Sequence, residues 1–118
     1  MTMNPIAAIT GATVDRVLDD PLLRRFATNV MHEAVKVGEK IGVRIASDPE
    51  ERHLVTRKLG AFKPSTLQDV EAGRPLELDA LLGAPVEMAA LTGVDAPLMN
   101  ALFGVARLRG KVLGLYPA

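Results

Sequence analysis

Apolar positions recur at spacings of three and four along most of the chain. Leu22, Phe26, Val30, Ala34, Val37 and Ile41 form the clearest such stripe, the spacing that gathers side chains on one face of an α-helix. Arg24, Arg25, Glu33, Lys36, Glu39 and Lys40 fall mostly on other faces. Asp20-Pro21 is a start signal: the carboxylate accepts from first-turn N–H groups that lack partners, and Pro has no N–H to leave unpaired. Gly42 is a stop. The pattern predicts a helix from Pro21 to about Ile41, spanning about 30 Å, as the spine of the domain.

The remaining elements follow from the same signals. Asn4 as cap and Pro5 at the first position predict a short helix through Ile9, too short to stand alone and therefore laid against something else. Thr13 is placed to cap a turn over Val14–Leu18. Ser47-Asp48-Pro49 predicts a more polar helix from Glu50 to about Leu59, with Leu54, Val55, Leu59 and Phe62 as its inner edge. Ser65, after Pro64, reads as the cap of a helix with Gln68 completing a capping-box spacing; Gly73 suits a left-handed C-terminal residue and Pro75 cannot extend the helix. A second long helix is expected from Glu77 to Thr92, interrupted by Gly83 and Pro85, with a kink near Leu81–Gly83. A final helix runs from about Pro97 to Leu113, with Leu98, Ala101, Leu102, Val105, Leu108, Val112 and Leu113 as its stripe. No period-2 alternation, repeat or linker is visible. The expectation is one all-α domain over residues 1–118, of about five to seven helices.

Composition narrows the picture. The chain has 118 residues, 48% of them hydrophobic but only 3% aromatic, a mixture that suits helix-on-helix packing. It has no cysteine, so no disulfide or thiolate metal site is possible and a cytoplasmic location is the default. Fourteen Lys and Arg balance fourteen Asp and Glu, which gives no electrostatic case for nucleic acid or an anionic membrane. The start lacks the pattern of a signal peptide, and no apolar run is long enough for a span.

Known constellations are mostly excluded. His32-Glu33 opens like a zinc-protease helix, but position 36 is Lys, so no metal site is expected. His53 stands alone on a polar helix and reads as solvated. There is no G-x-S-x-G elbow and no G-x-G-x-x-G dinucleotide fingerprint. Arg107, Arg109 and Lys111 read as a solvated helix end, favoured by the helix dipole. By the residues alone, Asn4 and Ser65 are plain helix caps, Ser65 at a helix N-terminus that can also hold an anion. Glu77 is a first-turn carboxylate favoured by the dipole.

The stretch Ser65–Glu77 and its continuation, S-x-L-Q-D-x-x-x-G-R-x-x-E-x-D-A-L, resembles the signature of the C-terminal domain of ketopantoate reductase (2-dehydropantoate 2-reductase), an NADPH-dependent enzyme of pantothenate biosynthesis. The likeness runs from Asn4-Pro5 through Gly93-Val94-x-x-Pro97 to the last helix. It implies the helical fold of that domain, shared with 6-phosphogluconate dehydrogenase-type enzymes. It also implies Asn4 and Ser65 on a small 2-keto acid substrate, Ser65 at its carboxylate end, and Glu77 on substrate hydroxyl and cofactor. Gln68 and Asp69 are implied to be structural. Arg74 reads as a surface residue, and Gly83 as a point of close helix approach. The family's catalytic Lys should lie about two helical turns before the Asn-Pro pair, and only three residues precede Asn4, so no catalytic residue is expected on this chain. A family Asn falls near Val14, and Phe62 stands where some members use Asn. The cofactor-binding Rossmann domain, a possible separate partner, is not on the chain, so no tight NADP binding is expected of it alone. The expected role is the substrate side of such a reductase, inactive alone. The alternative is a non-catalytic interaction or dimerisation module. Either way a homodimer is expected, with Met3, Ile6 and Ile9 among the apolar groups exposed for association.

Overall fold

The spine forms as the stripe predicts. In the computed structural model, which describes residues 2–42 and 48–116, helix α3 runs Pro21–Lys40, and Asp20 Oδ1 accepts from the N–H groups of Leu22 and Leu23 at 3.0 and 3.1 Å. Around it lie α1 (Met3–Thr10), α2 (Val14–Asp19), α4 (Pro49–Arg57), α5 (Ser65–Ala72), α6 (Ala84–Thr92) and α7 (Pro97–Val112). All regular structure among the described residues is helical. Ala27, Val30 and Val37 of α3 meet Ile6, Leu82, Ala89, Met99 and Leu102 in the main core.

Helix α1 packs against α5 and α7 of its own domain. Its residues Pro5, Ile6, Ala7 and Ala8 are buried, so Ile6 is a core residue rather than part of an exposed apolar face. The short helix is stable because the core covers it, which propensity alone could not achieve.

The expected helix Glu77–Thr92 is divided. A π-helical turn, Asp79–Gly83, precedes α6. Pro85 has no N–H to give the Leu81 carbonyl, so the ladder accommodates an extra residue where the kink was predicted. Gly83 sits in the close approach expected of it: a Cβ there would lie 3.4 Å from Phe103 Cζ on α7 and 3.3 Å from Asp79 Oδ1. Glu77 lies before the turn, outside any helix. The reason is a tie to the chain end: the Leu76 N–H donates to the Leu115 carbonyl at 2.9 Å, which holds this connection open. Tyr116 O–H donates to Asp79, and that bond holds the phenol above its ordinary pKa.

One expected stripe is exposed, and a second is inward only at Leu98 and Leu102. Leu54, Val55, Leu59 and Phe62 are exposed, and α4 turns Pro49 and His53 inward instead. On α7 the buried residues are Met99, Leu102, Ala106 and Gly110, while Val105, Leu108 and Val112 are exposed at 53, 63 and 72%. The small side chains face inward because the contact is close: a Cβ at Gly110 would come within 2.8 Å of Tyr116 Cβ. Glu33, placed among the outward charges by its sequence pattern, is 9% exposed. Its two oxygens accept from the N–H groups of Leu98 and Met99 at 3.0 and 2.8 Å, capping α7, whose own preceding residue Ala96 has no side-chain oxygen. Ser47, half of the predicted cap of α4, lies outside the described residues, and Asp48 makes no capping bond.

Candidate functional site

Asn4 and Ser65 are brought together, and Asn4 caps the helix that Ser65 begins. Neither caps its own helix. Asn4 is inside the first turn of α1, because the helix already begins at Met3, and Ser65 is the first residue of α5 behind Pro64. Asn4 Oδ1 instead accepts from the Thr66 N–H at 3.3 Å, the Thr66 hydroxyl at 3.2 Å and the Ser65 hydroxyl at 3.1 Å. A backbone N–H can only donate, so the atom facing Thr66 is the amide oxygen and the Asn4 NH2 group points elsewhere. The N-terminus of α5 is therefore satisfied by a residue from α1. Gln68 completes no capping box; its amide donates to the Lys63 carbonyl at 2.7 Å.

Beside this junction is a cleft of about 570 Å3. Asn4 and Ser65 stand at its polar part, and Val14, Met31, Val35 and Phe62 line much of the rest. Helix α4 contributes Arg52 and Thr56, spaced i, i+4 on one face, and Leu59 follows just beyond its end. Of the apolar residues expected at its inner edge, Leu59 and Phe62 line the cleft, and Leu54 and Val55 do not.

His53 also lines the cleft, and it is buried at 1% exposure rather than solvated. The Thr28 hydroxyl donates to the Arg24 carbonyl at 2.9 Å, so its oxygen is left to accept from His53 Nε2 at 2.8 Å. Burial pushes the imidazole pKa down, against the pull of Glu50. Glu50 is itself held below the usual carboxylate range by its hydrogen bond to Arg24. These groups fix a neutral, oriented imidazole in the wall.

Glu77 is exposed and is not part of the cleft lining. It lies past the far end of α5 from Ser65, and eight helical residues span about 12 Å. No hydrogen bond or ion pair fixes its carboxylate among the described residues. The rest of the motif is structural. Gly73 has φ +69° and ends α5, the Arg74 N–H donates to the Asp69 carbonyl at 2.8 Å, and the Arg74 side chain meets the Asp69 carboxylate at 3.0 Å. Arg74 is thus the exposed surface residue expected, with a local partner. Among the described residues no three His, Asp or Glu side chains are grouped to hold a metal ion, and no helix is long and apolar enough to cross a membrane.

Comparison with known proteins matches this arrangement to one family. The family described as "Ketopantoate reductase PanE/ApbA C terminal" matches residues 1–110. A 2-dehydropantoate 2-reductase of Mesorhizobium japonicum is 35% identical over 116 residues, covering 98% of this chain and 36% of that protein. Another, of Pyrobaculum aerophilum, is 30% identical over 108 residues, with 91% and 39% covered. A crystal structure of a candidate ketopantoate reductase from Ralstonia solanacearum MolK2 superposes with a TM-score of 0.91 at 47% identity, covering 98% of this chain and 35% of that one. The chain spans little more than a third of the length of these relatives.

Proposed function

The chain belongs to the ketopantoate reductase family as its C-terminal helical domain, and from that premise we propose that it forms the substrate side of an NADPH-dependent 2-keto acid reductase, ketopantoate-like in its chemistry. The observation that carries this reading is the convergence of Asn4 and Ser65, 61 residues apart, on one cleft through a direct hydrogen bond.

The residues fit the roles the family suggests. The Asn4 oxygen is occupied by Ser65 and Thr66, which leaves its NH2 group to donate to a substrate oxygen. Ser65 stands at a helix N-terminus, where backbone dipoles favour an anion, so it suits the carboxylate end of a 2-keto acid. Glu77, exposed and unconstrained, can accept from a hydroxyl of substrate or cofactor ribose once another domain brings them to the corner. The nicotinamide cofactor, when bound in the complete enzyme, supplies the hydride. The cofactor domain and the proton-donating Lys lie outside these 118 residues in this reading. Without them the chain neither turns over NADPH nor binds it tightly.

A cytoplasmic homodimer is part of the same proposal. The exposed row Val105, Leu108 and Val112 on α7 favours coverage by another surface, since apolar rows of this kind are seldom left to water. A relative from Staphylococcus aureus is described as dimeric. The test is made in the two-domain enzyme carrying this domain. Ser65→Ala and Asn4→Ala are expected to raise KM for the 2-keto acid without changing KM for NADPH. Unchanged KM values in both variants would end the assignment.

A further inference from the structure

The cleft has a chemical character of its own. Its volume of about 570 Å3 lies within the range of roughly 300–1,000 Å3 usual for small-ligand sites. Val14, Met31, Val35 and Phe62 offer no side-chain hydrogen bond along its walls. Among the described residues that line it, Arg52 is the one charged group, given the neutral His53.

Arg52 is also set apart from its neighbours. Arg24 is paired with Glu50, and Arg57 with Asp19 at 3.1 Å. Arg52, on the same helix as Arg57 and Glu50, makes no ion pair among the described residues. A cation without a counter-charge in a mostly apolar cleft fits an anion with an apolar body. A guanidinium presents paired donors that match a carboxylate. The walls act on the rest of the ligand. A hydroxyl placed against Val14 or Val35 loses water and gains no partner.

We infer that the cleft selects a 2-keto acid with an apolar side chain, Arg52 meeting its carboxylate and Val14, Met31, Val35 and Phe62 enclosing its side chain. The inference rests on the 2-keto acid reading above, adds a binding residue to it and narrows the substrate to one without the side-chain hydroxyl that ketopantoate carries. Arg52 reaches the cleft from α4, whereas Asn4 and Ser65 reach it from α1 and α5, so the carboxylate is held from two sides.

The test is a titration of the full chain followed by amide NMR at Ser65, Thr56 and Asn4. The probes are 4-methyl-2-oxopentanoate, its 4-hydroxy analogue and the uncharged 4-methyl-2-oxopentanamide. The apolar acid is expected to bind roughly three- to tenfold more tightly than the hydroxylated one. Arg52→Gln is expected to remove its advantage over the amide and to flatten the salt dependence. Arg52 is exposed, so that variant keeps the fold, and its spectrum shows whether it has. Phe62→Asn, at the exposed mouth, is expected to narrow the preference against the hydroxyl. Equal or tighter binding of the hydroxylated acid overturns the selectivity and leaves the 2-keto acid reading standing. An unchanged affinity in Arg52→Gln overturns the role of Arg52. No shift at the three amides with any keto acid overturns this inference, while the reading beneath it is decided by the KM values of the two-domain enzyme.

Discussion

Helices α5 and α7 both begin without a capping side chain of their own, and each takes one from far away in the sequence. Asn4 serves α5 from 62 residues away, and Glu33 serves α7 from 66. The Glu33 cap is buried, and both carboxylate oxygens are spent on backbone N–H groups. The Asn4 cap is half-buried beside a cleft, and only its oxygen is spent. One device therefore serves two ends. A closed cap fixes the packing of α3 on α7. An open one fixes α5 and still presents polar groups to a ligand.

The comparison breaks first at Glu33. Glu33→Ala leaves one buried and one half-buried N–H group unpaired, and a loss of about 3 kcal/mol is expected. Urea unfolding of the isolated chain measures it, and a loss below about 1 kcal/mol would mean that water replaces the carboxylate at no cost. Asn4→Ala is expected to cost less, about 1–2 kcal/mol, since Ser65 is exposed and can turn to water. Asn4→Asp sharpens the contrast: it keeps the accepting oxygen and removes the NH2 donors. Stability should hold within about 0.5 kcal/mol, while KM for the keto acid in the two-domain enzyme rises. A variant that loses both together would make Asn4 a purely structural cap.

The cleft side also has a pH axis, through His53. Its folded pKa is lowered by burial, so the neutral ring is the form the fold accommodates. The unfolded state takes up the proton first. The stabilising contribution is complete above the ordinary histidine pKa of about 6.5 and is lost as pH falls below it toward the folded value. Melting temperatures are expected to drop between pH 7 and pH 5, and His53→Gln should flatten that drop. An equal slope in the variant would place the titration elsewhere. The smallest effect belongs to Glu77. Glu77→Ala should change stability by no more than about 0.5 kcal/mol, because nothing in the domain holds the carboxylate. A loss of several kcal/mol in a thermal melt would remove Glu77 from the proposed site.

The same contrast marks what the sequence could reveal. Asp20 caps the helix that follows it, so cap and helix are adjacent and were readable together. Gly73, and the kink near Gly83 and Pro85, were readable for the same reason. Asn4 and Glu33 cap helices that no local pattern connects to them. Asn4 was picked out through the family motif, and its partner Thr66 was not. Glu33 looked like one more surface charge. His53 looked solvated because its partner Thr28 lies 25 residues earlier. On α7 periodicity holds over the first turns, where Leu98 and Leu102 meet the core, and fails after them: Val105, Leu108 and Val112 point away, and Ala106 and Gly110 face inward because the contact there leaves no room for more.

The tie between Leu76 and Leu115 bears on the order in which the domain can be assembled. A chain made from its N-terminus has Asn4 waiting when α5 emerges, so that junction can close early. The Glu77 corner has no such head start. Its backbone is held by the Leu115 carbonyl and its neighbour Asp79 by Tyr116, both beyond α7. Those residues are made last, so the corner can close only after α7 has emerged. During synthesis the cleft can take shape while the corner is still open, so the two halves of the proposed site mature at different times.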